Sequence, residues 1–247
     1  MSMPDWSEAF KQATVGLASM DVHGISYGES AQRMRDLLRT GLLRHTDLTQ
    51  NPERFFQAHR LLARHSPTLG PGFWIRFTVH YNLCMGTVLA LGTPDQVQML
   101  DELQDQGILG CFALTEKLAG VQSGLVVQTT ADYDTTSDSY ILNSSNHGAY
   151  KNWISQGLVA DKTTVIADLR LGGKSYGPHA FFIDLRQGDE VFPGVTLEDM
   201  GRKTIGNDLD NAAIGFNNVK VPSSALLSRY AAVEDGAYVQ KVKGVPL

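Results

Sequence analysis

Thr93-Pro94-Asp95-Gln96, followed by Val97, Leu100 and Leu103 and then by Gly107-Ile108-Leu109-Gly110-Cys111-Phe112-Ala113-Leu114, marks the point where the chain changes its secondary structure. Thr93 with Gln96 three residues on is a capping box, and Pro94 stands at the first helical position. Val97, Leu100 and Leu103 recur at helical spacing, and Gly107 ends the helix by accepting a left-handed backbone. From Ile108 onward the apolar residues run together as in a buried strand. Working outward from this switch, everything upstream reads as helical. Met34, Leu37, Leu38 and Leu42 share one helical face. Asn51-Pro52 reads as N-cap plus N1 proline for a helix through Phe55, Phe56, His59, Leu62 and Ala63. Residues 73–91 are apolar nearly all round and predict one buried central helix. Downstream, strands are expected at 108–114, 125–131, 140–143, 163–169, 180–185 and 212–216, divided by turn-forming residues such as Asp132-Tyr133-Asp134, Gly172-Gly173 and Asn217-Asn218. The expectation is an α+β chain: a helical domain over 1–107, an antiparallel β-barrel or sandwich over 108–222, and a last segment, 223–247, opening with a new helix after Pro222.

Composition narrows the function classes. The 247 residues are 43% hydrophobic and 19% charged, enough apolar material for a core and too little charge for disorder. Lys+Arg is 21 against Asp+Glu 26, and the net charge of −5 is the wrong sign for wrapping nucleic acid or an anionic membrane. Two cysteines, Cys84 and Cys111, make no disulfide framework and read as buried thiols. No secretory leader is expected from Met1-Ser2-Met3-Pro4-Asp5, and the apolar run at 83–92 is too short to span a bilayer. The seven histidines show no metal-ligand spacing, and there is no Gly-rich phosphate loop or nucleophile elbow. Glu116 reads as a structural or surface carboxylate, and His179, on an apolar strand, as a core histidine.

Five local strings carry more. They are Gly92-Thr93-Pro94-Asp95-Gln96, Leu109-Gly110-Cys111-Phe112-Ala113-Leu114-Thr115-Glu116-Lys117-Leu118-Ala119-Gly120, Lys151-Asn152-Trp153-Ile154-Ser155-Gln156-Gly157, Tyr176-Gly177-Pro178-His179-Ala180-Phe181-Phe182-Ile183, and Asp210 to Pro222 with its Asn218-Val219-Lys220-Val221-Pro222 ending. In this order, over residues 50 to 230, they resemble the acyl-CoA oxidase and acyl-CoA dehydrogenase superfamily. The string around Thr115 is similar to that superfamily's Thr-Glu signature. The one around Trp153 is similar to its Trp-Ile-Thr flavin segment, with Ser155 for threonine.

The resemblance implies FAD-dependent oxidation of a fatty acyl-CoA thioester at Cα–Cβ, as in fatty acid β-oxidation, with hydride passing from Cβ to flavin N5. It implies that Thr115 and the backbone of Ala113 and Leu114 face the pyrimidine side of the ring. Ser155 supplies a hydroxyl near N5, Trp153 packs on the ring, and Ile154 contributes backbone. Val121 and Ser123 fall in the loop that contacts substrate. Lys117 stands where relatives have Pro or Met, and Val121 cannot donate as the family's small hydroxyl residue does. The family's catalytic Glu lies in a C-terminal four-helix domain beyond the resembling stretch. No catalytic base is therefore assigned here, FAD is expected to be held weakly, and the chain alone is expected to be inactive. Dioxygen or an electron-transfer flavoprotein is the implied oxidant, and a homo-oligomer the implied complete form. The implied compartment is the peroxisome or mitochondrion in a eukaryote and the cytoplasm in a bacterium. The alternative is a non-catalytic flavin- or acyl-CoA-binding relative, or a partner subunit.

Overall fold

Helix caps written into the sequence set the first half of the molecule. The computed structural model describes residues 1–122 and 127–242. Ser2 accepts from the Asp5 amide at the head of α1 (Met3–Gly16), and Ser26 with Glu29 forms a reciprocal capping box on α2 (Tyr27–Arg39). A single turn, α3 (Asp47–Gln50), precedes α4 (Pro52–Leu69), which starts on its proline as expected. Asn51 does not cap it; its side-chain amide donates to Asp47 instead (2.7 Å). Next come α5 (Phe73–Thr78), a π-helical stretch (Val79–Met85) and α6 (Gly86–Leu91), one continuous helical run. The expectation of a regular helix buried all round needs correction here. Trp74, Ile75 and Leu83 are each about 40% exposed because the run is covered on one side only. The π stretch lets His80 Nδ1 accept the Gly110 amide (3.1 Å). α7 (Pro94–Gln106) has the Thr93/Gln96 capping box and ends at Gly107, φ +73°.

The second half is built of short strands: β1 (Gly110–Ala113), β2 (Thr130–Asp134), β3 (Ser139–Asn143), β4 (Lys151–Ser155), β5 (Lys162–Leu171), β6 (Lys174–Asp184), the small pair β7 (Arg186–Gln187) and β8 (Glu190–Val191), β9 (Val195–Asp199), β10 (Asn211–Phe216), β11 (Val219–Pro222), β12 (Ala231–Glu234) and β13 (Ala237–Gln240). In the larger sheet β5 is central. β6 runs antiparallel along one edge, and β1 and then β2 run parallel along the other, with β3 and β11 beyond β2. The second sheet is β4-β10-β9, antiparallel throughout. The β unit is thus mixed where the sequence pattern predicts antiparallel pairing alone. A parallel pair needs a long crossover, and strand spacing does not reveal the partner. Cys111, Ala113, Val165, Phe181, Ile154, Ile214 and Phe216 fill the space between the sheets.

The helix expected at 223–232 is also corrected. Ser223–Ala225 is a single 3-10 turn, and the chain then enters the β12–β13 hairpin. Asp235 and Gly236 both take positive φ (50° and 71°), the two-residue turn that Asp-Gly favours. The expected strand at 125–131 overlaps β2 only at its end, and its first residues lie outside the described ones.

A separate core of Trp6, Phe10, Met34, Leu38, Phe55, Leu62, Phe73 and Phe77 holds the helices together. Helices and sheets are joined by more than apolar contact. Arg76, fully buried, donates to Ser30 Oγ (3.2 Å), Gln156 Oε1 (3.3 Å), the Asp208 carbonyl (3.0 Å) and Asp210 Oδ1 (3.2 Å). Gln156 in turn donates to the Gly110 carbonyl (2.6 Å). Among the described residues no helix is long and apolar enough to cross a membrane, and no His, Cys, Asp and Glu group could hold a metal ion.

Candidate functional site

Past Ala113 the chain leaves the β5 edge and runs alongside β4. The Asn152 amide donates to the Thr115 carbonyl (2.7 Å), the Lys117 amide donates to the Tyr150 carbonyl (3.0 Å), and Glu116 stands opposite Lys151. Two distant strings of the sequence therefore share one ladder. Thr115 lies across from Asn152 and one residue from Trp153, where the two sheets meet.

A buried ion pair sets this junction. Lys151 and Glu116 are fully buried, with Nζ and Oε1 2.8 Å apart. Lys151 Nζ also donates to the Leu114 carbonyl (3.2 Å), so the pair brackets Thr115 from both sides. The remaining Glu116 capacity is taken by the amides of Gln128 (2.8 Å) and Thr129 (2.9 Å), which tie down the far end of the loop. Burial pushes the Lys151 ammonium below its ordinary range, and Glu116 opposes this. Each group is satisfied internally, as a buried charge requires. Glu116 is thus structural, not a surface group.

The strand opposite is irregular. Ser155 pairs with Asn211 and Ile154 with Ala212, but the next pairing is Lys151 with Ile214, so β4 carries one residue more than β10 over this interval. This β-bulge turns Trp153 out. Its φ is +60°, its side chain is 57% exposed, and its amide donates to Met200 Sδ (3.2 Å). Ser155 Oγ accepts from Asn211 Nδ2 (3.1 Å). The half-buried Thr115 has no hydroxyl partner among the described residues.

The other expected residues fall as follows. Ala113 is fully buried in register with Val165, and Ile154 is 3% exposed with its side chain in the core, so each can offer backbone alone. Leu114 is half-buried and lines an apolar cavity of about 490 Å³ with Thr87, Leu91, Phe112, Ile166 and Ala180. His179, also on that cavity, is 7% exposed between the Gly177 carbonyl (3.0 Å) and the Tyr238 hydroxyl (3.3 Å), and burial lowers its pKa. Cys111 is buried, and burial pushes its thiol up, so it is inert packing. Val121 lies in a 3-10 turn (Gly120–Gln122), and Ser123 lies outside the described residues. Sequence reasoning gave no role to Asn211 or Met200, although Asn211 belongs to the 210–222 string; its contact depends on the β4–β10 register.

Chemically, the site offers an exposed flat indole, two hydroxyls free to donate, and an apolar cavity starting at Leu114. Donors beside a flat wall suit a planar ring whose edge carries acceptors and gains electron density.

No family model matches the chain. Among curated relatives, the peroxisomal acyl-coenzyme A oxidase 2 of Arabidopsis thaliana is 33% identical over 207 residues, covering 79% of this chain and 29% of that protein. Acyl-coenzyme A oxidase 1 of Yarrowia lipolytica is 37% identical over 175 residues, covering 67% and 25%. The solved structure of acyl-CoA oxidase 1 from Yarrowia lipolytica superposes with a TM-score of 0.77 at 26% identity, over 96% of this chain and 36% of that one. Acyl-CoA oxidase-2 of Caenorhabditis elegans, bound with FAD, ascaroside-CoA and ATP, gives 0.76 at 27% identity over the same shares. The chain spans between a quarter and just over a third of these proteins' lengths.

Proposed function

We propose that this chain, related to the acyl-CoA oxidases over most of its length, supplies the helical and flavin-facing portions of an enzyme that oxidises a fatty acyl-CoA thioester at Cα–Cβ. The observation that supports the reading is the ladder that pairs Thr115 with Asn152, one residue from Trp153 along β4. The residues present fit a flavin: Trp153 gives a solvent-facing wall of aromatic area, and Thr115 and Ser155 retain free O–H donors. FAD, when bound, supplies the hydride acceptor. Thr115 and Ser155 would hold the ring edge through their hydroxyls, Leu114 through its backbone, and Trp153 would shield one side from water. The apolar cavity at Leu114 would take the hydrocarbon tail of the acyl group. We assign no proton-abstracting base to this chain: Glu116, the carboxylate next to Thr115, is committed to Lys151 and two amides. The base and the opposite wall would come from outside these residues, and the chain alone would not turn over. Since the relatives are named oxidases, we take dioxygen as the oxidant, and since the Arabidopsis relative is named peroxisomal, the peroxisome as the compartment.

Titrating FAD with the chain, followed by quenching of flavin fluorescence, tests this. Binding is expected at high protein concentration, and Thr115→Val should raise Kd about three- to tenfold, the loss of one hydrogen bond. Absence of quenching would remove the flavin site; an unchanged Kd in Thr115→Val would remove that residue from it.

A further inference from the structure

Serine lacks the second Cβ substituent that restricts threonine's χ1, so the Ser155 hydroxyl needs something else to aim it. The structure assigns this task to Asn211, which we propose as a positioning residue acting through Ser155; the proposal rests on the flavin reading above. Asn211 is 6% exposed at the head of β10, directly opposite Ser155. Its Nδ2 lies 3.1 Å from Ser155 Oγ and 3.4 Å from the Trp153 carbonyl oxygen. A carbonyl oxygen only accepts, so the side-chain atom facing it is the amide nitrogen and not the amide oxygen. That nitrogen therefore also donates to Ser155 Oγ. With one lone pair so occupied, Ser155 is left with its own O–H to give, and no acceptor for it exists among the described residues. The hydroxyl is thereby left as a donor.

The contact with the Trp153 carbonyl fixes which end of the amide faces Ser155. Asn211 is itself anchored from the helical half. Asp210, its neighbour, accepts from Arg76 (3.2 Å) and from the Leu158 amide (2.7 Å), and its carbonyl accepts from the Gln156 amide (3.0 Å). The aim of Ser155 thus traces back to a fully buried charged pair.

The experiment uses the full chain and FAD, read by flavin fluorescence quenching, on four proteins: unsubstituted, Ser155→Ala, Asn211→Leu and the double variant. Each single change should raise Kd about three- to tenfold. The double variant should be no weaker than Ser155→Ala, because Asn211 has no hydroxyl left to aim. A structural role would give an additive loss in the double variant, and that result overturns the proposal, as does an unchanged Kd in Asn211→Leu. If Asn211→Leu fails to fold, the near-isosteric Asn211→Asp serves. Its carboxylate accepts from Ser155 and withdraws the donor, so its extra loss should vanish in the Ser155→Ala background and overturns the proposal if it persists. No quenching by the unsubstituted chain would instead bring down the flavin reading and this assignment together.

Discussion

At φ +60°, Trp153 occupies a region that costs an L-residue roughly 1–2 kcal/mol and a glycine almost nothing. Its indole is more than half exposed and adds little to the core. Trp153→Gly should therefore leave the thermal midpoint unchanged or raise it, while flavin quenching weakens about tenfold with loss of the aromatic wall. A marked drop in midpoint would show that the indole is there for packing. The sequence made Trp153, Thr115 and Ser155 visible as members of ordered strings. It did not show the bulge that ejects Trp153, because the extra residue exists only relative to β10. Nor could it show that Asn211 faces Ser155, since register between distant strands is a tertiary fact.

At the scale of elements, Thr93 and Gln96 make the comparison. Both form the capping box, with the Gln96 amide donating to Thr93 Oγ1 (3.3 Å) and the Thr93 amide to Gln96 Oε1 (2.9 Å). Gln96 Nε2 also donates to the carbonyls of Ser224 (2.8 Å) and Leu226 (2.7 Å), fastening α7 to the segment after β11. Thr93→Ala should cost about 1 kcal/mol, one lost cap. Gln96→Ala should cost about 2–3 kcal/mol, because the buried Leu226 carbonyl loses its donor and the bond to the exposed Ser224 carbonyl goes as well. Urea unfolding of both variants checks the order, and equal losses would mean that the long-range bonds contribute nothing. Caps are local and were legible; their second use was not. Likewise Val221-Pro222 reads as the lead-in to a helix over 223–232, yet Asp235-Gly236 just beyond it folds the chain into a hairpin.

For the molecule as a whole, acid sensitivity follows from His80. Burial holds its imidazole at about 3, against about 6.5 when unfolded, and Nδ1 accepts the Gly110 amide at the seam between helices and sheets. Between those values the unfolded chain binds a proton that the folded chain refuses. Stability therefore falls as pH drops below about 6.5, by up to ~1.4 kcal/mol per unit, and levels off near 3. His45, His59 and His179, also lowered by burial, act in the same direction. Urea midpoints at pH 7, 6 and 5 should decline, and His80→Gln, which can still accept from Gly110, should flatten the decline. The same slope in His80→Gln would assign the effect elsewhere.

The place of β5 at the centre of the larger sheet bears on how this polypeptide is made. Its only close partner in sequence is β6, across Gly172-Gly173; β1 and β2 leave the ribosome well before the strand they must lie against. The 162–184 hairpin is the natural template, and the earlier strands dock onto it only after synthesis has passed them. Nascent chains shorter than this hairpin carry the edge of β1 uncovered, with Cys111 and Phe112 available to other chains, and they are the species most dependent on chaperones.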